Sequence, residues 1–200
     1  MPQRLQPWPY GDRVYQLMLI GSTVALSWLG MQVVHELGHV AGAWLTGGVV
    51  AKVVLHPLTI SYTTLSANPH PLFTVWAGPV LGSALPLAIW GVAWLCKVPG
   101  TYLLRFFAGF GLIANGAYIG AGSLARIGDA GVMLANGAAL WQLWAFGLAT
   151  VPAGLWLWHG QGQYFGLGRA TKRIDPGAAI GTLAILLLVI TIELILDKID

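Results

Sequence analysis

His35-Glu36-Leu37-Gly38-His39 is the stretch in which residue types and spacing together imply a reaction. Two histidines four apart on an α-helix project from one face, about 40° apart around the axis and about 6 Å apart along it. Both imidazoles can therefore reach one metal ion. The glutamate beside them is placed to take the proton of a metal-bound water, so the set supplies what a zinc hydrolase needs: two neutral nitrogen ligands and a carboxylate base. With five His and two Glu in 200 residues, chance would produce this pattern in about one sequence in a thousand. The same residues could instead bind helices together or relay protons in a transporter, but neither role requires this spacing.

The elements that must position these side chains lie in hydrocarbon. The chain is 56% hydrophobic and 8% charged, against about 25% charged residues in soluble domains, and several apolar runs reach the roughly 20 residues needed to cross a bilayer as a helix. The formal net charge of +3 comes from scattered residues, without the basic stripe and interleaved aromatics of a nucleic-acid binder. One cysteine, Cys96, excludes an internal disulfide framework and a multi-cysteine zinc site. Tryptophans near the ends of runs, among them Trp8, Trp44, Trp94 and Trp158, suit the membrane interface.

Residues 1–13, with Pro2, Pro7 and Pro9, form a polar lead-in. The first apolar run, 14–45, is far longer than a signal-peptide core, so it is expected to stay in the mature protein. As one helix it measures about 48 Å, longer than the hydrocarbon is thick, and Gly47-Gly48 ends it. Residues 49–66, rich in Val, Ile, Thr and Tyr and split by His56-Pro57, predict a β-hairpin at the membrane surface or against protein, with a connecting loop as the alternative. Further spans are expected over 72–96, 102–124, 131–158 and 178–196. The fold class is therefore an all-α polytopic membrane protein of about five transmembrane helices, a single domain over 1–200 with a core at 14–158 and a peripheral last helix. Gly38/Gly42, Gly78/Gly82 and Gly116/Gly120 form GxxxG pairs, which predict tight packing of the first three spans. Arg4, Arg13, Lys97, Arg105, Arg169, Lys172 and Arg173 on one side, against Lys52, Arg126 and Lys198 on the other, favour a cytoplasmic N-terminus.

A catalytic zinc usually takes three protein ligands and keeps one open position. The remaining candidates are Asp12, His56, His70, Asp129, His159, Asp175, Glu193, Asp197 and Asp200. The two histidines lie roughly 10 to 16 Å below the far end of their span. Asp129, between the third and fourth spans, returns to that side after two further crossings, and it is the expected third ligand; its alternative is a local pair with Arg126. Asp12 and Asp175 fall on the opposite side. His56 and His70 are on the correct side but have the prolines of surface turns beside them. Glu193, costly in lipid, is expected to reach the C-terminal interface near Lys198.

At this point a family resemblance emerges. His35-Glu36-Leu37-Gly38-His39 followed by Val40-Ala41-Gly42-Ala43-Trp44 resembles the first signature of the site-2 proteases, which are intramembrane zinc metalloproteases. Ala77-Gly78-Pro79 is similar to the Ala-Gly-Pro segment of that family's next core helix, and the β-like stretch between matches its layout. The family's aspartate ligand maps to Asp129 in Ile127-Gly128-Asp129-Ala130-Gly131. The resemblance covers about residues 30 to 135. It implies Zn²⁺ held by His35, His39 and Asp129, a zinc-bound water as nucleophile, Glu36 as general base, and a membrane-embedded or membrane-anchored peptide as substrate. The expected setting is a multi-pass protein of the cell membrane that contacts lipid and no nucleic acid. A polytopic transporter, or a relative that binds metal without proteolysis, is the alternative.

Overall fold

Two glycines decide where the first helix stops. The proline-free run before them forms one helix, α1 (Tyr10–Leu45), of 36 residues and about 54 Å. Gly47 then takes φ +76°, and the Gly48 N–H donates back to the Ala43 carbonyl at 2.7 Å, as expected of glycine past a helix C-terminus. The structure, a computed structural model, describes residues 10–168 and 173–199, with side chains over 12–168 and 173–196. The prolines of the lead-in, Arg4, Arg169, Lys172, Asp200 and the side chains of Asp197 and Lys198 lie outside the described residues.

After α1 come β1 (Val49–Val54) and β2 (Tyr62–Ala67), an antiparallel pair, then α2 (Pro71–Leu95), α3 (Thr101–Ala125), α4 (Gly128–Ala135), α5 (Leu140–Trp158), a short 3-10 turn (Gln161–Phe165) and α6 (Pro176–Ile199). Among the described residues five helices, α1, α2, α3, α5 and α6, are long and apolar enough to cross a membrane. The chain is thus an all-α polytopic membrane protein with a small hairpin after the first span.

The expected fourth span, 131–158, is in fact two elements. Gly137 takes φ +94°, and Ala138 N–H caps the Met133 carbonyl at 3.0 Å, so the chain turns before α5 begins at Leu140. Residues 128–135 are left as the separate short helix α4, which carries Asp129.

The hairpin does not lie flat at the end of α1. The Ser61 N–H donates to Gln32 Oε1 at 2.8 Å, and Thr63 Oγ1 donates to Glu36 Oε2 at 2.7 Å. Gln32 precedes Leu45 by 13 positions, so the hairpin runs back alongside α1 by about 20 Å. The physical reason is hydrogen bonding: alongside a membrane-spanning helix, strand groups left unpaired need protein partners rather than lipid.

Close glycine contacts set the helix spacing, though not wholly as expected. Gly38 and Gly42 of α1 face Thr74, Ala77 and Gly78 of α2. Gly82 of α2 faces Asn115 of α3. Gly116 and Gly120, however, face Thr150, Val151 and Gly147 of α5, so the tight core has four helices, not three. The last helix, α6, packs along the first half of α1, where Ser22 and Thr182 share a hydrogen bond of 2.6 Å. It is the least enclosed span, with 17% of its apolar window buried against 39% for each of the first three.

Glu193 on α6 lies apart from the metal cluster, and the Lys198 side chain expected near it is outside the described residues. Glu193 is 4% exposed and has His56 of the hairpin loop as an electrostatic neighbour.

Candidate metal centre

Helical spacing brings His35 and His39 to one face of α1, and neighbouring helices then fix which nitrogen of each ring points where. His35 Nδ1 meets Asn115 Oδ1 at 2.6 Å. The Asn115 amide is oriented by its other end, since Nδ2 donates to the Gly111 carbonyl at 2.8 Å. His39 Nδ1 donates to the Thr74 carbonyl at 2.9 Å. Both acceptors require a proton on Nδ1, so each neutral ring turns its Nε2 lone pair inward, the tautomer a metal ligand needs.

Those two Nε2 atoms face each other at 3.0 Å. Asp129 Oδ2 lies 2.8 Å from His35 Nε2 and 3.2 Å from His39 Nε2. Three lone-pair atoms thus converge on one point, an arrangement that repels itself unless positive charge sits among them. Tetrahedral coordination at the 2.0–2.2 Å typical of nitrogen and carboxylate ligands would separate such atoms by about 3.3 Å. The observed triangle is close to that size. His35, Glu36 and His39, all buried, offer ligand atoms within 4.8 Å of one another. The cluster can hold a metal ion.

Asp129 reaches this position because α3 ends abruptly. Arg126 adopts φ +54° and Gly128 φ +53°, and the turn between α3 and α4 points the aspartate back at α1. A side chain on Gly128 would meet the Tyr118 hydroxyl, which accepts the Asp129 backbone N–H at 3.1 Å. The alternative of a local pair with Arg126 is not what forms: Arg126 is exposed, and the partners of Asp129 are the two histidines.

Other candidates stay apart. Asp12 pairs with Arg173 at 3.6 Å at the opposite end of α1, and His56 Nδ1 accepts the Leu58 N–H at 3.1 Å within the hairpin loop. Glu36 is 6% exposed and is not part of the triangle; its Oε2 accepts from Thr63, leaving Oε1 available. The whole cluster opens into a cleft of about 770 Å³. Its polar wall includes Ser61, Thr63, Thr74, Asn115 and Tyr118, and its apolar wall includes Trp28, Met31, Leu65, Val75 and Val132.

Asn115, Thr63 and Gly78 were not identified as site residues from the sequence. A lone amide in the apolar stretch from Phe110 to Ile119 was the available signal for Asn115, because polar groups inside spans mark packing or function. Gly78 has a local reason: a Cβ there would overlap the His39 ring. Thr63 carries no such signal in a strand already rich in threonine. Replacing Asn115 by alanine frees the His35 ring and should weaken metal affinity by about 10- to 100-fold, which chelator competition will measure; unchanged affinity would show that α1 alone orients the ring.

Compared with known proteins, the chain matches no family model, no curated protein and no solved structure.

Proposed function

We propose that this protein is an intramembrane zinc metalloprotease of the site-2 type, acting on a peptide embedded in or anchored to a cell membrane. One observation carries the reading: His35 Nε2, His39 Nε2 and Asp129 Oδ2 converge within 2.8–3.2 Å, next to a buried carboxylate that none of them uses. Two histidines and one aspartate are a nitrogen and oxygen donor set of the kind catalytic zinc takes, with room for one further ligand. Zinc bound there would polarise a carbonyl and lower the pKa of water to about 7.

The chain's own groups do the remaining work. Glu36, with Oε2 held by Thr63, keeps its other oxygen to accept a proton and pass it to the leaving amine. Asn115 and the Thr74 carbonyl hold the two rings so that neither rotates. The polar wall of the cleft admits water to a depth the bilayer would otherwise keep dry. A transmembrane substrate hides its carbonyls in its own helix hydrogen bonds, so the segment to be cut must first unwind. Strand β2 borders the cleft and can pair with an extended peptide along its unpaired edge.

Metal analysis of the protein purified in detergent is expected to find about one zinc per chain. Reconstitution with a library of single-span peptides in phosphatidylcholine vesicles should then release fragments detectable by mass spectrometry. Failure to retain metal after incubation with zinc would remove this reading. A zinc-loaded chain that cleaves none of the peptides would point instead to a relative that only binds metal.

A further inference from the structure

Strand β2 and the residue that leads into it are stitched to α1 at two points that match in length. Gln32 and Glu36 lie four apart on the helix, a rise of about 6 Å, while their partners, Ser61 immediately before β2 and Thr63 within it, lie two apart, a rise of about 6.6 Å in extended chain. Helix and strand therefore run side by side in register, and the second stitch ends on the Glu36 carboxylate. Among the described residues Thr63 is the one hydrogen-bond donor to that carboxylate. The cleft is bordered by Ile60, Ser61, Tyr62, Thr63 and Leu65, with no residue of β1.

We propose that Thr63 is a positioning residue for Glu36, through which the strand bordering the cleft sets the orientation of the base. Its hydroxyl holds Oε2 and so aims Oε1 toward the three converging ligand atoms. Threonine suits the task because a β-branched side chain is stiff at χ1: where the strand goes, the hydroxyl follows. A glutamate has three side-chain torsions, and without this donor a buried carboxylate would lack both a partner and a fixed direction. The strand and the base consequently act as one unit. A peptide pairing along β2 presses on the element that aims the base, which couples substrate engagement to readiness for proton transfer. This inference rests on the hydrolase reading given above.

Thr63→Val keeps the branched shape and strand preference and removes only the donor, whereas Thr63→Ser keeps the donor. With a peptide that the unmodified protein cleaves in the vesicle library, Thr63→Val is expected to lower kcat by about 10- to 100-fold with KM nearly unchanged, and Thr63→Ser to recover most of the rate. Bound zinc should be the same in both. A second readout needs no activity: hydrogen exchange of the β2 amides should quicken by about 10-fold in Glu36→Ala and by a similar factor in Thr63→Val. An unchanged kcat in Thr63→Val, an equal loss in Val and Ser, or β2 exchange indifferent to Glu36→Ala would each overturn the proposal. If Thr63→Val does not fold, the Glu36→Ala exchange result decides alone. Loss of zinc binding and of all cleavage by the unmodified protein would defeat the protease reading instead, and the exchange measurement would still report on the contact.

Discussion

Glu36→Gln is expected to keep its zinc and lose about 10²- to 10⁴-fold in peptide hydrolysis, the contribution typical of a positioned general base. The substitution is nearly isosteric, and the Gln carbonyl can still accept from the Thr63 hydroxyl, which now meets Glu36 at 2.7 Å. The hairpin should therefore stay where it is. What disappears is basicity, since an amide oxygen does not take up a proton at neutral pH. Metal retention follows from geometry, because the three converging atoms belong to His35, His39 and Asp129. The loss should fall on kcat with KM nearly constant, the pattern of a group that acts in the transition state. Removing a charge that is 6% exposed also relieves desolvation, so the melting temperature should hold or rise. Full activity in this variant would end the protease proposal.

Asp129→Ala should have the second large effect, a fall in zinc affinity of more than about 100-fold, exceeding the loss expected for an orienting residue such as Asn115. Two nitrogens alone leave a catalytic zinc short of its usual three protein ligands. The variant should nevertheless fold, because α4 is anchored through the backbone: the Asp129 N–H donates to the Tyr118 hydroxyl, and Ala130 and Met133 are fully buried in the core. The carboxylate also lies in the first turn of α4, where its loss costs about 0.3–1 kcal/mol of favourable interaction with the helix dipole. Chelator competition and a melting curve separate these effects, since a small stability loss beside a large affinity loss is the signature of a ligand. Unchanged affinity would mean that a residue outside the triangle completes the site, Glu36 being the one with a ligand atom within 4.8 Å of both histidines.

Particular residues show how far the sequence could be read. His35 and His39 were legible because an i, i+4 pair on a helix needs no knowledge of anything else. Asp129 was legible from crossing parity, which counts spans and ignores their packing. The same parity argument could place the aspartate on a side but not at 2.8 Å from an imidazole. The β-hairpin was visible in its β-branched residues and in His56-Pro57, yet its depth was not. That depth depends on Gln32 and Glu36 offering acceptors at the spacing of a strand. The fourth span was drawn too long because the apolar residues of α4 continue the pattern of α5, although Gly137 marks the turn between them.

By itself, then, the chain's order of residues determined that five segments enter a membrane, that one carries a two-histidine, one-glutamate face, and that an aspartate returns to the same side. Those properties follow from helix periodicity and from the cost of polar groups in hydrocarbon, both of which act along the chain. Only the tertiary structure decided that Gly78 leaves space for the His39 ring, that Asn115 and Thr74 meet the Nδ1 atoms of the two rings, and that Thr63 meets Glu36. Each of these depends on how closely two distant segments approach, and a difference of one ångström between helices, invisible in a local pattern, separates a hydrogen bond from an empty gap.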